Sequence, residues 1–153
     1  MLQPSLAFCS DTTITKPVIV GSFTWEQWKE AALWKDYSAS DYKIDSLSIS
    51  NLKEKIKSKN PEFIMFSGSW CGDSESEVPK FYKLMMICSY SIEKIILIGL
   101  DRNKAESGGS HIQYNITNVP TLIVIVNGKE VGRITEFPTK SWEEDILKIL
   151  SDK

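Results

Sequence analysis

Two short, almost wholly apolar runs, Phe63-Ile64-Met65-Phe66 and Lys94-Ile95-Ile96-Leu97-Ile98-Gly99-Leu100, restrict this chain more than any other feature. Such runs, without polar alternation, suit strands covered on both faces. Between them Val78, Phe81, Leu84, Met85 and Cys88 recur at three- and four-residue spacing, which predicts an amphipathic helix seeded at Gly72–Glu77. A strand, a helix and a second strand in that order require a crossover, so the two strands are expected to lie parallel.

Further on, Thr121–Val126 and Val131–Glu136 flank Asn127-Gly128. This dipeptide is a strong hairpin signal, because both central residues of a type I′ turn need positive φ. A short helix is expected at His111–Tyr114. A longer one begins at Ser141, with Ile146, Leu147, Ile149 and Leu150 as its apolar stripe and Glu143-Glu144-Asp145 at its positive end. The order from Phe63 is then β-α-β-α-β-β-α around a mixed sheet.

Residues 1–60 differ in character, being rich in Ser, Lys, Asp and Trp and broken by Pro4 and Pro17. They are expected to form a largely helical extension packed on a core domain of residues 61–153. Thr24 can cap a helix carrying Trp25, Trp28, Ala32 and Leu33 on one face, and a second helix is expected from Ser48 to Lys59 with Ile49, Leu52 and Ile56 inward. With 153 residues the chain has length for one core, and a net charge of −2 offers no basic field for nucleic acid. No apolar run reaches the roughly 18 to 20 residues of a membrane helix. The expected location is cytoplasmic as the sequence is written, or periplasmic or lipid-anchored if Leu6–Ser10 ends the signal of a longer precursor. A monomer is expected.

The chemistry concentrates in Ser69-Trp70-Cys71-Gly72-Asp73-Ser74-Glu75-Ser76-Glu77-Val78-Pro79, where a strand gives way to a helix. A helix N-terminus presents unpaired N–H groups and positive potential, which favour a thiolate, the nucleophile of disulfide exchange. Trp70 is expected to shield one side of Cys71 and Gly72 to leave the other open. Ser74, one turn on, is expected to give its hydroxyl to the sulfur. A cysteine protease would need His111, the one histidine of the chain, to orient Cys71, and a single cysteine with one histidine falls short of a zinc set. No metal and no cofactor are expected.

From Phe63 to Leu150 the chain resembles thioredoxin: Trp70-Cys71-Gly72 matches the family signature, Pro79 its helix proline, Val119-Pro120-Thr121 its loop proline and Asn127-Gly128 its hairpin turn. The resemblance implies a three-layer α/β/α sandwich with a central mixed sheet. It also implies a cis Val119–Pro120 bond beside the reactive thiol, with Trp70, Gly72, Asp73, Val119 and Pro120 flanking the bound substrate. Trp70-Cys71-Gly72-Asp73-Ser74 together with the aromatic-rich extension is similar to a bacterial subgroup of the family.

Two departures shape the functional expectation. Ser74 stands where the family's second cysteine stands, so a mixed disulfide on Cys71 has no neighbour within the motif to displace it, and Met65 falls near the family's buried acid, where a methionine cannot move protons. Cys88 lies about 25 Å along the same helix at 1.5 Å per residue. Cys9, in the N-terminal segment, is the third thiol. The expected activity is therefore monothiol exchange with protein disulfides through Cys71, resolved by glutathione, another low-molecular-weight thiol or a partner protein. A monothiol glutaredoxin-like protein would carry a lysine before the motif and a Gly-Gly pair after the proline strand, and neither is present. The alternative from another class is a polypeptide-binding module without turnover, using the proline groove and the Trp25, Trp28 and Trp34 region.

Overall fold

The computed structural model describes residues 15–152. In chain order the elements are β1 (Gly21–Phe23), α1 (Trp25–Ala31), α2 (Ser46–Lys59), β2 (Glu62–Ser67), α3 (Gly72–Ile87), a 3-10 turn (Ile92–Lys94), β3 (Ile96–Gly99), α4 (Ser110–Gln113), β4 (Thr121–Val126), β5 (Lys129–Thr135) and α5 (Trp142–Ser151). The sheet has the order β1-β3-β2-β4-β5. β2 and β3 run parallel, pairing Ile64 with Ile96, and every other neighbouring pair is antiparallel.

Alternation along the strands sorts the core into two layers. Phe63, Met65, Leu97, Leu122 and Val124 face Trp28, Leu52, Val78, Phe81, Trp142, Ile146 and Leu150, contributed by α1, α2, α3 and α5. Burial of a large apolar side chain of this kind stabilises the fold by roughly 1.5–3 kcal/mol. On the other side Ile64, Phe66, Ile98, Ile123 and Ile125 pack under Tyr114, Ile116 and Val119, the segment that follows α4. The result is a mixed five-stranded sheet with helices on both sides. Local chemistry sets the ends of these elements. Thr24 and Gln27 form a reciprocal capping box, Asp45 caps α2 and Ser141 caps α5 through the Glu144 amide. Asn127 and Gly128, at φ 53° and 78°, make the turn between β4 and β5.

The extension contains a strand that periodicity does not announce. Only three residues long, β1 lies antiparallel on β3 with Gly21 opposite Gly99. A Cβ on Gly99 would stand 2.4 Å from the Ile19 carbonyl oxygen, so the chain entering β1 crosses β3 where only glycine leaves room.

The tryptophans of the extension are core residues. Trp25 stacks on Tyr82 at 4.1 Å between centroids, Trp28 meets Trp34 edge to face at 5.4 Å, and all three tryptophans are buried. They therefore offer no surface for holding a polypeptide. Leu33, expected on the same face, is 61% exposed instead. It follows the C-cap Ala32 at φ 56°, and the left-handed turn that ends α1 swings its side chain into solvent.

Candidate active site

The segment after β2 climbs from the sheet into α3, and Cys71 occupies the N-cap. Its amide donates to Gly68 O at 3.0 Å and its carbonyl accepts from Glu75 N at 3.0 Å, which fixes the residue at the first turn. No side chain caps this end, so helix amides stay open toward the sulfur side. The partly exposed Cys71 thiol is directed at the Val119 carbonyl oxygen, 3.6 Å away. Val119–Pro120 is a cis peptide, and Pro120 O accepts the Glu136 amide at 2.6 Å, which ties the proline loop to the end of β5.

Trp70 forms the wall beside the thiol. Its indole N–H donates to Leu100 O at 2.9 Å, while Arg102 and Lys104 lie over the ring at 5.4 and 5.8 Å from its centroid. A Cβ on Gly68 would come within 2.8 Å of that ring, so glycine there is what lets the indole fold back against the loop. Trp70, Cys71, Asp73, Lys104, Asn118, Val119 and Glu136 line a groove of about 170 Å³. That is below the roughly 300 Å³ at which small-molecule pockets begin, and it suits a residue or two of an extended chain or a small thiol.

A second set of contacts grips the loop from behind. The buried Ser69 hydroxyl donates to Pro17 O at 2.6 Å and accepts from Ile19 N at 3.0 Å, and Ser69 O accepts the Trp34 indole N–H at 2.7 Å. Glu75 accepts Lys35 N at 2.9 Å and pairs with Lys16. Partial burial acts to raise the Glu75 carboxyl, but the bonds from Lys16 and Lys35 outweigh it and hold it below the usual carboxylate value.

A sequence model of the thioredoxin family, described as "Thioredoxin", matches residues 43–150, a span that runs from just before α2 to the last turn of α5. The chain belongs to the thioredoxin family. Over 100 residues it is 28% identical to thioredoxin of Mycoplasma genitalium, covering 65% of this chain and 92% of that protein. Over 69 residues it is 33% identical to thioredoxin of Echinococcus granulosus, covering 45% of this chain and 59% of that one. Among solved structures, mitochondrial thioredoxin 3 of Saccharomyces cerevisiae in its oxidized form aligns over 69% of this chain and 90% of its own, at 20% identity and a TM-score of 0.43. Thiol–disulfide exchange with protein thiols and disulfides follows from thioredoxin-family membership.

Against the family's motif, Trp70, Cys71 and Val119 come together at one groove, with Pro120 joined to Val119 by the cis peptide just outside its lining, Asp73 on its rim and Gly72 opening the helix where a side chain would meet nothing. Ser74 departs from expectation. It is fully buried, and its oxygen accepts Gly68 N at 3.1 Å, with no bond to the Cys71 sulfur. The i to i+3 step from the N-cap carries Ser74 under the loop, so its hydroxyl braces the backbone that presents Cys71. Met65 is fully buried among apolar neighbours. His111, in α4, accepts Glu106 N from the loop before it at 3.3 Å and does not line the groove. Cys88 is buried in the core, where burial pushes its thiol up to about 11. Cys9 lies outside the described residues.

Several residues of the site carry no sequence signal. Lys104, Asn118 and Glu136 reach the groove from the segments after β3, before β4 and after β5, and Leu100 holds Trp70 from the same loop as Lys104. Trp34 meets Ser69 across 35 positions of chain, and Lys16 meets Glu75 across 59, separations that no local period reports.

Proposed function

We propose that the chain is a monothiol thiol–disulfide oxidoreductase that acts on protein disulfides through Cys71 and is released by an external thiol. One observation carries it: a partly exposed sulfur at an uncapped helix N-terminus faces the Val119 carbonyl, with a buried serine, not a thiol, one turn behind. The helix amides stabilise the Cys71 thiolate. That thiolate attacks one sulfur of R–S–S–R′, forming Cys71–S–S–R and expelling R′–S⁻. With Ser74 unable to attack, glutathione, another low-molecular-weight thiol or a partner protein thiolate R″–S⁻ attacks the sulfur on R, forming R–S–S–R″ and returning Cys71 as thiolate. Trp70, Gly72 and Asp73 on one bank and Val119-Pro120 on the other hold the substrate. The run Trp70-Cys71-Gly72-Asp73-Ser74 supports placing the chain in the bacterial subgroup that carries this motif.

The test is to mix the full chain with a peptide disulfide and follow the intact mass. One peptide should add at Cys71, persist, and leave when glutathione is supplied, while Cys71→Ser should add none there. Absence of an adduct on Cys71 would overturn the proposal.

A further inference from the structure

The extension holds the reactive loop at two points that bracket Cys71. Ser69, two residues before it, is bonded to Pro17, Ile19 and Trp34, and Glu75, one helical turn after it, is bonded to Lys16 and Lys35. Glu75 stands one turn on from Cys71, with Cβ atoms about 5–6 Å apart at i and i+4, and it lines a separate hollow with Lys35 and Pro79 and not the groove itself. Its side chain is 18% exposed, so its charge is screened less than that of the exposed Asp73, and neither Asp73 nor Glu136 has an ion-pair partner among the described residues. An uncompensated carboxylate at this place would repel any anion that approaches the sulfur, including a thiolate or a carboxylate-bearing disulfide. Lys16 supplies the directly paired cation from the extension, and the Lys35 charge adds a weaker attraction.

Building on Cys71 as the nucleophile, we infer that the N-terminal extension is a latch on the reactive loop, and that Lys16, by neutralising Glu75, sets the readiness of Cys71 to react with anionic thiols and disulfides. Lys16 acts through Glu75 and is thus a positioning residue. Arg102 and Lys104 on the Trp70 ring work in the same direction, leaving Asp73 and Glu136 as the opposing charges at the groove. The partner class indicated is a low-molecular-weight thiol or disulfide that carries carboxylate.

The experiment compares Cys71 alkylation by iodoacetamide, which is neutral, with alkylation by iodoacetate, its anionic analogue, in the full chain and in Lys16→Gln, Glu75→Gln and the double variant. Taking the ratio of the two rates cancels any change in thiol reactivity or loop order that acts on both reagents alike. A charge at the Cβ spacing of about 6 Å in a water-like medium sets the ceiling, so Lys16→Gln should slow iodoacetate measurably, by up to about threefold, relative to iodoacetamide. The effect should shrink at 1 M salt, and Glu75→Gln in the same chain should restore the ratio. An unchanged ratio in Lys16→Gln, or one that the second substitution leaves depressed, would overturn the inference while Cys71 still reacts. If Cys71 reacts with neither reagent, the reading of Cys71 as nucleophile fails instead.

Discussion

The Cys71 sulfur and the Val119 carbonyl oxygen stand 3.6 Å apart, so the thiol that opens α3 and the loop that precedes Pro120 are two banks of one groove. The other described cysteine has no such access. Cys88 is 6% exposed in the apolar layer beneath α3. The two sulfurs should therefore separate cleanly in reactivity. In the native protein at pH 8, iodoacetamide should label Cys71 and leave Cys88 unmodified until denaturant is added. For Cys88 the rise from 9.0 to about 11 alone lowers the thiolate about a hundredfold. Peptide mapping of the labelled chain checks this, and equal labelling of both would contradict the burial of Cys88.

The same rise in Cys88 has a consequence for stability. Burial keeps the thiol protonated in the folded chain while the unfolded chain loses that proton above its ordinary value, so the folded state binds more protons between about pH 9 and 11. Stability from this group is full below that window and falls as pH rises through it. Cys88→Val should flatten the decline measured by urea unfolding between pH 8 and 9.5. The window is kept below pH 10 because burial also raises Tyr82, whose ionisation adds its own alkaline limb.

The parts of this fold that were legible in sequence are those whose cause is local. Asn127-Gly128 specifies its turn through two positive φ values, Val78 to Cys88 specify a helix through spacing, and Cys71 is identified by the junction it occupies. The parts that were not legible depend on distant partners. Three residues are too few to show a period, and β1 exists because Gly99 admits the Ile19 backbone against it. Ser74 shows the same limit in the site. Its spacing from Cys71 was visible, but its partner, the Gly68 amide, is set by how the loop folds back under Trp70.

Ser69 should hold the extension measurably. Its hydroxyl is both donor to Pro17 O and acceptor from Ile19 N, and the residue is fully buried. Ser69→Ala strands one acceptor and one donor, a loss of about 1–3 kcal/mol for each group that water cannot reach. Hydrogen exchange at the Ile19 amide should accelerate about tenfold or more. Unchanged exchange there would mean that the strand pairing of β1, without Ser69, holds the segment.

A buried acid away from the groove joins two helices. Glu77 of α3 is 5% exposed, accepting the Trp142 indole N–H at 3.0 Å and the Lys80 ammonium at 2.8 Å. Glu77→Leu leaves the indole N–H of a 1% exposed tryptophan unpaired, and should cost about 1–3 kcal/mol. Adding Trp142→Phe removes that orphan donor, so the double variant should be less destabilised than the sum of the single changes. Urea unfolding of the four proteins completes the cycle, and strict additivity would show that the Glu77 to Trp142 bond carries no coupling.

Ser74 offers the most direct control over the chemistry. It lies one turn after Cys71 on the same face of α3, within the separation at which a disulfide can close. Ser74→Cys replaces an oxygen that accepts the Gly68 amide by a weaker sulfur acceptor, so a loss of about 1 kcal/mol in the reduced protein is expected. The introduced thiol, however, can attack the Cys71 sulfur of the mixed disulfide, closing an intramolecular disulfide with Cys71 and expelling the substrate thiolate. The peptide adduct should then disappear in a single turnover with no external thiol, leaving a chain two hydrogens lighter than the reduced protein. A persistent adduct in Ser74→Cys would locate the barrier in the loop geometry between Gly68 and position 74, not in the missing thiol, and the dependence on an external thiol would need another cause.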